Sequence, residues 1–207
     1  MARIDFLVYL LLVTQLLFCN YGMAQTASTL SPSARVSAQS WQILQEIVSE
    51  VGARPAGSSQ ERQLLYDFTN RYWSQIEGVP VNSQPVTFSV SGIEKRSVNI
   101  WITFPGRSGE HLVIGAHADS AGEDEGSQGV TDNGIAVALL LALGQQLGTM
   151  ELRDSVTLVL FGAEEVGLFG SQVFTTALQV NSRFLTGAPF PTAMINLDTI
   201  AGGDHLY

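Results

Sequence analysis

The chain has 207 residues, 45% of them hydrophobic, with 20 glycines, one cysteine and a formal net charge of −9. That length and apolar content suit one α/β domain with a real core. The acidity argues against a nucleic-acid partner, whose phosphates would repel this surface, and is compatible both with ordinary solubility and with a carboxylate-rich metal site.

Residues 1–24 read as a secretory signal peptide. Arg3 supplies a weak positive start, Phe6 to Phe18 is almost wholly apolar, and Gly22-Met23-Ala24 ends in a small residue. The apolar run is short of the ~20 residues a membrane span needs. Export to a periplasmic or extracellular space is therefore expected, without stable membrane association after cleavage; an uncleaved anchor is the alternative. Cys19 is the only cysteine, and the bulky Phe18 before it matches a lipid-attachment site poorly. Removal of the signal leaves no cysteine for disulfides, metal ligation or nucleophilic catalysis.

Residues 25–35, rich in Ser, Thr and Ala, predict a flexible lead, and residues 36–207 the domain itself. Val36 to Val51 has helical spacing through Trp41, Leu44, Ile47, Val48 and Val51, and Gly52 ends it. The turn-rich Ala53-Arg54-Pro55-Ala56-Gly57-Ser58 follows. Ser58 or Ser59 caps a second helix whose Leu64, Leu65, Phe68 and Tyr72 share a face. Strands are predicted at Val86–Val90 and Val98–Phe104, then at Leu112–Ala116, a continuous apolar run typical of a strand covered on both faces. His111 precedes that strand and is expected to be solvated. Residues 120–129 read as an acidic loop, Ile135–Leu147 as a helix, Val156–Phe161 as a buried strand, Val166–Leu178 as a helix interrupted by Gly170, and Ala193–Leu197 as a last strand. Helices first, then strands alternating with helices, predict a three-layer αβα sandwich around a mixed, mostly parallel sheet.

Functional groups in such sheets gather beyond the carboxyl ends of the strands. His117, Glu164, Glu165 and Asp198 all stand at such an end, and Asp132 stands just before a helix. Each has an ordinary reading as well. His117-x-Asp119 is either a loop or a metal-ligating imidazole oriented by a nearby carboxylate. Asp132 is either a helix cap or a carboxylate able to bridge two cations. Glu164-Glu165 is either favourable charge in a first helical turn or a ligand beside a general base. Asp198 is either a turn residue or a ligand. Asp204 and His205 read as loop or strand residues. Occurring together, in this order and at matching strand ends, the groups outline a two-metal hydrolase site.

The segments Gly115-Ala116-His117-Ala118-Asp119-Ser120, Val130-Thr131-Asp132-Asn133-Gly134, Phe161-Gly162-Ala163-Glu164-Glu165-Val166-Gly167-Leu168-Phe169-Gly170-Ser171 and Met194-Ile195-Asn196-Leu197-Asp198 resemble the zinc aminopeptidases and carboxypeptidases of metallopeptidase family twenty-eight. The Ala53–Ser58 turn, and Asn99-Ile100 before Pro105-Gly106, look like that family too. The likeness runs from about Trp41 to Asp198; Thr131 departs from the Ala or Asn usual there. It implies an exported exopeptidase with two zinc ions acting on a peptide or protein. His117 and Asp198 would bind one ion, Asp132 would bridge both, Glu165 would bind the other, Glu164 would be the general base, and Asp119 would orient His117. The family's remaining ligand is a histidine well beyond the Asp198 position. The chain ends before it, so the expectation is a catalytic domain truncated at its C-terminus, with little hydrolysis from these 207 residues by themselves. A single-zinc enzyme like the glutaminyl cyclases, and a non-catalytic binding domain of the same fold, are the alternatives. Imidazole and carboxylate donors serve several divalent ions, so cobalt or manganese stay open beside zinc.

Overall fold

The computed structural model describes residues 30–121, 127–181 and 183–200. The expected signal peptide, most of the lead, and Asp204 and His205 lie outside these residues.

Helix α1 (Pro32–Glu50) begins before the expected Val36. The Ser31 hydroxyl accepts the Ala34 N–H at 3.2 Å, and Pro32 sits in the first turn, where its missing N–H leaves nothing unpaired. Pro32 to Arg35, assigned to the lead on composition, are thus helical. Gly52 closes the helix at φ +67°, a left-handed position that favours glycine. The buried stripe is Val36, Ser40, Ile43, Leu44 and Ile47. Trp41, expected on the apolar face, is 57% exposed. Ser58 caps α2 (Ser59–Gln63) by accepting the Glu61 N–H, and a π-helical turn, Leu64–Phe68, leads on into α3 (Thr69–Tyr72).

The sheet contains β1 (Asn82–Val90), β2 (Ile93–Phe104), β3 (His111–His117), β4 (Ser155–Phe161) and β5 (Ala193–Asn196), in the order β1-β2-β4-β3-β5. β2 pairs antiparallel with β1 and β4; β3 pairs parallel with β4 and β5. Every strand but β2 therefore runs one way, and the sheet is mixed and mostly parallel, as expected. The β1–β2 hairpin extends past the apolar runs seen in the sequence. It turns at Ser91-Gly92, both at positive φ, and its outer end carries exposed Glu94, Lys95 and Arg96, which hide the strand from a hydrophobicity pattern.

Alternation along the strands builds the layers. Ile100, Ile102, Ile114, Leu158 and Leu160 pack with α1 and α4 (Ile135–Leu147), whose faces are almost all apolar. Trp101, Val113, Val159 and Phe161 face the other way, onto Phe174 of α5 (Phe169–Val180) and Leu185. The chain crosses from β3 to β4 through α4 and from β4 to β5 through α5. These crossovers step in opposite directions along the sheet, so right-handedness sends them to opposite faces. The result is an αβα sandwich. Helix α5 starts three residues later than expected because residues 162–168 form a turn, with Ala163 at φ +56° and Leu168 at φ +61°. Gly170 does not interrupt the helix. A Cβ there would fall 2.2 Å from the Gly162 carbonyl oxygen, so glycine lets the helix pack on the end of β4.

His111 corrects the sequence reading. It is buried rather than solvated, because residues 183–192 fold back across the start of β3. Its Nδ1 lies 2.7 Å from the Pro189 carbonyl oxygen and its Nε2 lies 2.9 Å from Thr157 Oγ1. The Thr192 N–H donates to the His111 carbonyl at 2.8 Å.

Candidate metal centre

The register of the parallel strands sets the site. His117, the last residue of β3, is opposite Phe161 at the end of β4, and Gly115 is opposite Asn196 at the end of β5. The ladder continues for one step past each end: the Ala118 N–H donates to Phe161 O and the Leu197 N–H to Gly115 O, both at 2.8 Å. The chain then leaves each strand with its chemistry-bearing residue, so His117, Asp119, Glu164, Glu165 and Asp198 converge at the carboxyl end of the sheet.

Asp132 arrives from the kinked segment Val130–Gly134 ahead of α4, where Asp132 and Asn133 have non-helical dihedrals and are joined by a cis peptide. The Asn133 side-chain amide donates to Leu197 O at 2.7 Å and ties this segment to the end of β5. Asp132 does not cap α4, which has no side-chain cap. Its Oδ1 lies 3.0 Å from His117 Nε2, and Asp198 Oδ1 lies 3.6 Å from the same nitrogen. On the other side of the ring, Nδ1 is 3.2 Å from the Asp119 backbone oxygen and 4.0 Å from Glu164 Oε2. Two donor groups result, His117 with Asp132 and Asp198, and His117 with Glu164 and Glu165; within each, the donor atoms lie within 4.8 Å of one another. The imidazole is buried, while Asp132 and Asp198 are about half exposed, at 45% and 43%. The groups form a mouth with the histidine at its floor.

Asp119 is wholly buried and occupies a place the sequence did not reveal. Its backbone oxygen faces the His117 ring, whereas its carboxylate, 3.7 Å from Nδ1, accepts the Glu164 N–H at 2.9 Å and the Glu165 N–H at 3.0 Å. Glu164 and Glu165 thus belong to the turn after β4 and not to the first turn of α5.

The electrostatics follow from crowding anions around one ring. Burial by itself lowers the pKa of His117, but Asp119, Glu164 and Asp132 outweigh it and push the pKa up to about 9. Burial raises Glu164 and Glu165, and the neighbouring carboxylates raise them further against the opposing pull of His117. Such a cluster is suited to a cation.

The model of peptidase family M28 matches residues 99–207, just over half of the chain. The chain belongs to peptidase family M28. Over 98 residues it is 35% identical to a probable lipoprotein aminopeptidase of Mycobacterium tuberculosis, covering 47% of this chain and 19% of that one. Over 169 residues it is 30% identical to a vacuolar membrane protease of Lachancea thermotolerans, covering 70% of this chain and 16% of that one. The chain therefore spans less than a fifth of the length of either relative. Among solved structures, a glutaminyl cyclase of an Acidobacteriales bacterium superposes with a TM-score of 0.68 at 16% identity, covering 86% of this chain and 63% of that one. At that identity the likeness speaks for the fold.

The M28 match begins at Asn99, yet two charged residues that build the site precede it. Arg54, buried completely, donates from Nε to Ala118 O at 2.6 Å, from Nη1 to Gln128 O at 2.8 Å and from Nη2 to Gly129 O at 2.7 Å. It joins the end of β3 to the chain entering the Asp132 segment. Burial brings its pKa down to about 10 against the pull of Asp119, Asp132 and Glu165, and it stays charged. Glu61, also buried completely, takes Ser97 Oγ at 2.7 Å and the Ala163 N–H at 2.9 Å on Oε1, and the Gly57 N–H at 2.6 Å on Oε2. Burial pushes its pKa up to about 7, with Asp119 adding to the rise and the three donors opposing it. A signal for Glu61 was present, since it stands three, four and seven residues before Leu64, Leu65 and Phe68, on the face that is buried. Arg54 lies in a turn, where no periodicity reports burial.

Proposed function

We propose that this M28 chain carries the metal-binding core of an exported zinc exopeptidase that hydrolyses the terminal bond of a peptide or protein, as an aminopeptidase. One observation carries the reading: in a chain of this family, one buried imidazole and four half-buried or exposed carboxylates meet at the ends of three parallel strands. The donor set suits zinc. With Nδ1–H directed to the Asp119 carbonyl, the Nε2 lone pair of His117 faces Asp132 and Asp198, the arrangement that an outer hydrogen-bond partner imposes on a ligating histidine. His117, Asp132 and Asp198 would hold one ion; Asp132 and Glu165 would take part in holding a second. Zinc held there would supply Lewis acidity, bringing the pKa of a bound water toward neutrality and polarising the scissile carbonyl. Glu164, whose proton affinity burial and nearby carboxylates raise, would take the water's proton and deliver it to the leaving amine. Asp119 fixes the backbone of Glu164 and Glu165 so that one glutamate serves as base and the other as ligand.

The test is zinc content of this chain together with, in the whole protein that carries it, chelator-sensitive release of the chromophore from an aminoacyl nitroanilide. Glu164→Ala is expected to keep its zinc and lose ~10²–10⁴ in rate. Loss of zinc from that variant would make Glu164 a ligand and defeat its assignment as base. A one-zinc site with cyclase chemistry is a second reading, favoured by the sharing of a single imidazole between both donor groups. One equivalent of zinc, with cyclisation of an amino-terminal glutamine in place of hydrolysis, would establish it.

A further inference from the structure

Three consecutive amides in the turn after β4, those of Ala163, Glu164 and Glu165, each donate to a buried carboxyl group. Successive backbone N–H groups in a turn form a concavity that binds anions. Here the protein's own carboxyl groups take the N–H groups: Glu61 Oε1 takes that of Ala163 at 2.9 Å, and Asp119 Oδ1 and Oδ2 take those of Glu164 and Glu165 at 2.9 Å and 3.0 Å. The two carboxylates come from places far apart in the chain, α2 and the end of β3. Both are fully buried, so neither bond is shared with bulk water. Ala163 itself is held at φ +56°, which a non-glycine residue adopts only under restraint.

We propose that Glu61 is a positioning residue for the Glu164–Glu165 pair, anchoring the turn from beneath through the Ala163 amide while Asp119 anchors it through the next two. Asp119 fixes the amides of Glu164 and Glu165, and the Ala163 carbonyl accepts the Phe169 N–H at 3.0 Å, which leaves the Ala163 amide as the point where the turn enters from β4. Glu61 holds that amide. Its other contacts make it a rigid post: Ser97 on β2 and the Gly57 N–H in the turn before α2 hold the carboxylate from both sides. The space around the turn is closed as well, since a Cβ on Gly162 would fall 2.0 Å from Ser97 Oγ and 3.0 Å from Glu61 Oε1. The carboxyl group that buttresses the proposed base and ligand therefore comes from the segment before the M28 match, at 53–63, which by this reading is part of the site's machinery. The assignment rests on the metallopeptidase reading for its effect on zinc, and on geometry alone for its effect on the turn.

Both effects are measured on the full chain with Glu61→Leu. Amide hydrogen exchange, read without metal, is expected to rise ~10-fold or more at Ala163, Glu164 and Glu165 while the interior amides of β3 keep their rates. Zinc affinity, read by competition with a chromophoric chelator, is expected to fall ~10–100-fold, the usual loss for an outer partner of a metal site. A folded variant with unchanged exchange at all three amides overturns the proposal, as does a rise shared equally by β3, which would mark a merely structural role. Unchanged zinc affinity with locally raised exchange also overturns it as a statement about the metal site. If the wild type binds no zinc, the metallopeptidase reading fails, and exchange still decides the anchoring. Should Glu61→Leu not fold, the wild type answers directly: the Ala163 amide proton shift must follow ionisation of the Glu61 carboxyl, and an indifferent Ala163 overturns the proposal.

Discussion

His111 and His117 stand at opposite ends of β3, both buried, and their surroundings drive them in opposite directions. His111 meets a carbonyl and two threonines, and burial lowers its pKa. His117 meets Asp119, Asp132, Glu164 and Asp198, and its pKa rises to about 9 in spite of burial. The same residue on the same strand is thus a neutral strut at one end and the centre of a charged mouth at the other. In a parallel sheet this asymmetry follows from topology. The loops and helix starts that carry functional side chains leave from the carboxyl ends of strands, while the amino ends receive chain that only has to be tied down.

The largest effect that could break the comparison is on zinc. His117→Ala should lower zinc affinity well beyond the ~10–100-fold typical of losing an outer partner. His111→Ala should leave zinc affinity unchanged while lowering the melting temperature. Comparable zinc losses in the two variants would refute the assignment of separate roles.

Next is the pH dependence of stability in the metal-free chain. His111 has a folded pKa below its unfolded value of ~6.5, so its contribution is present above that pH and is lost as pH falls through the folded pKa. For His117 the sign reverses: the contribution is complete below ~6.5 and is lost as pH rises through about 9. Glu61 acts in the same sense as His117 over a lower window. Its pKa is raised from 4.5 to about 7, so stability on the order of 3 kcal/mol is lost as pH rises between them. Denaturant midpoints against pH should lose the acid-side fall in His111→Ala, the alkaline-side fall in His117→Ala, and the slope between 4.5 and 7 in Glu61→Gln. A profile that is the same in all three variants and the wild type would show these shifts to be absent.

The smallest effect sharpens the neutral end. Thr157 Oγ1 links His111 Nε2 at 2.9 Å to Thr103 Oγ1 at 2.8 Å. Thr157→Val keeps the shape and removes both bonds, and should cost about 1–3 kcal/mol by chemical denaturation with zinc affinity intact. A change in zinc affinity there would mean that the two ends of β3 communicate.

Legibility in the sequence followed the physical range of each signal. The α4 helix, β4 and the end of β3 were readable because a strand buried on both faces and a core helix leave continuous apolar runs. The outer half of the β1–β2 hairpin was not, since Glu94, Lys95 and Arg96 are strand residues facing solvent. Val166 to Leu168 passed for helix because a turn with positive φ at Leu168 has no compositional mark when the residue is not glycine. At the site, the order His117, Asp119, Asp132, Glu164, Glu165, Asp198 was visible together with its strand-end placement. That Asp132 faces His117 and does not cap α4 was not.

The sequence by itself determined the αβα architecture, the family and the set of groups brought to one end of the sheet, because periodicity and position relative to a strand are local properties. Only the tertiary structure decided what stands behind those groups. Arg54 reaches Ala118 and Gly129, Glu61 reaches Ala163, and His111 reaches Pro189 across separations of 64, 75, 102 and 78 residues. A buried charge is tolerated where donors and acceptors arrive from distant segments, and that arrival is a fact of packing that no stretch of chain contains.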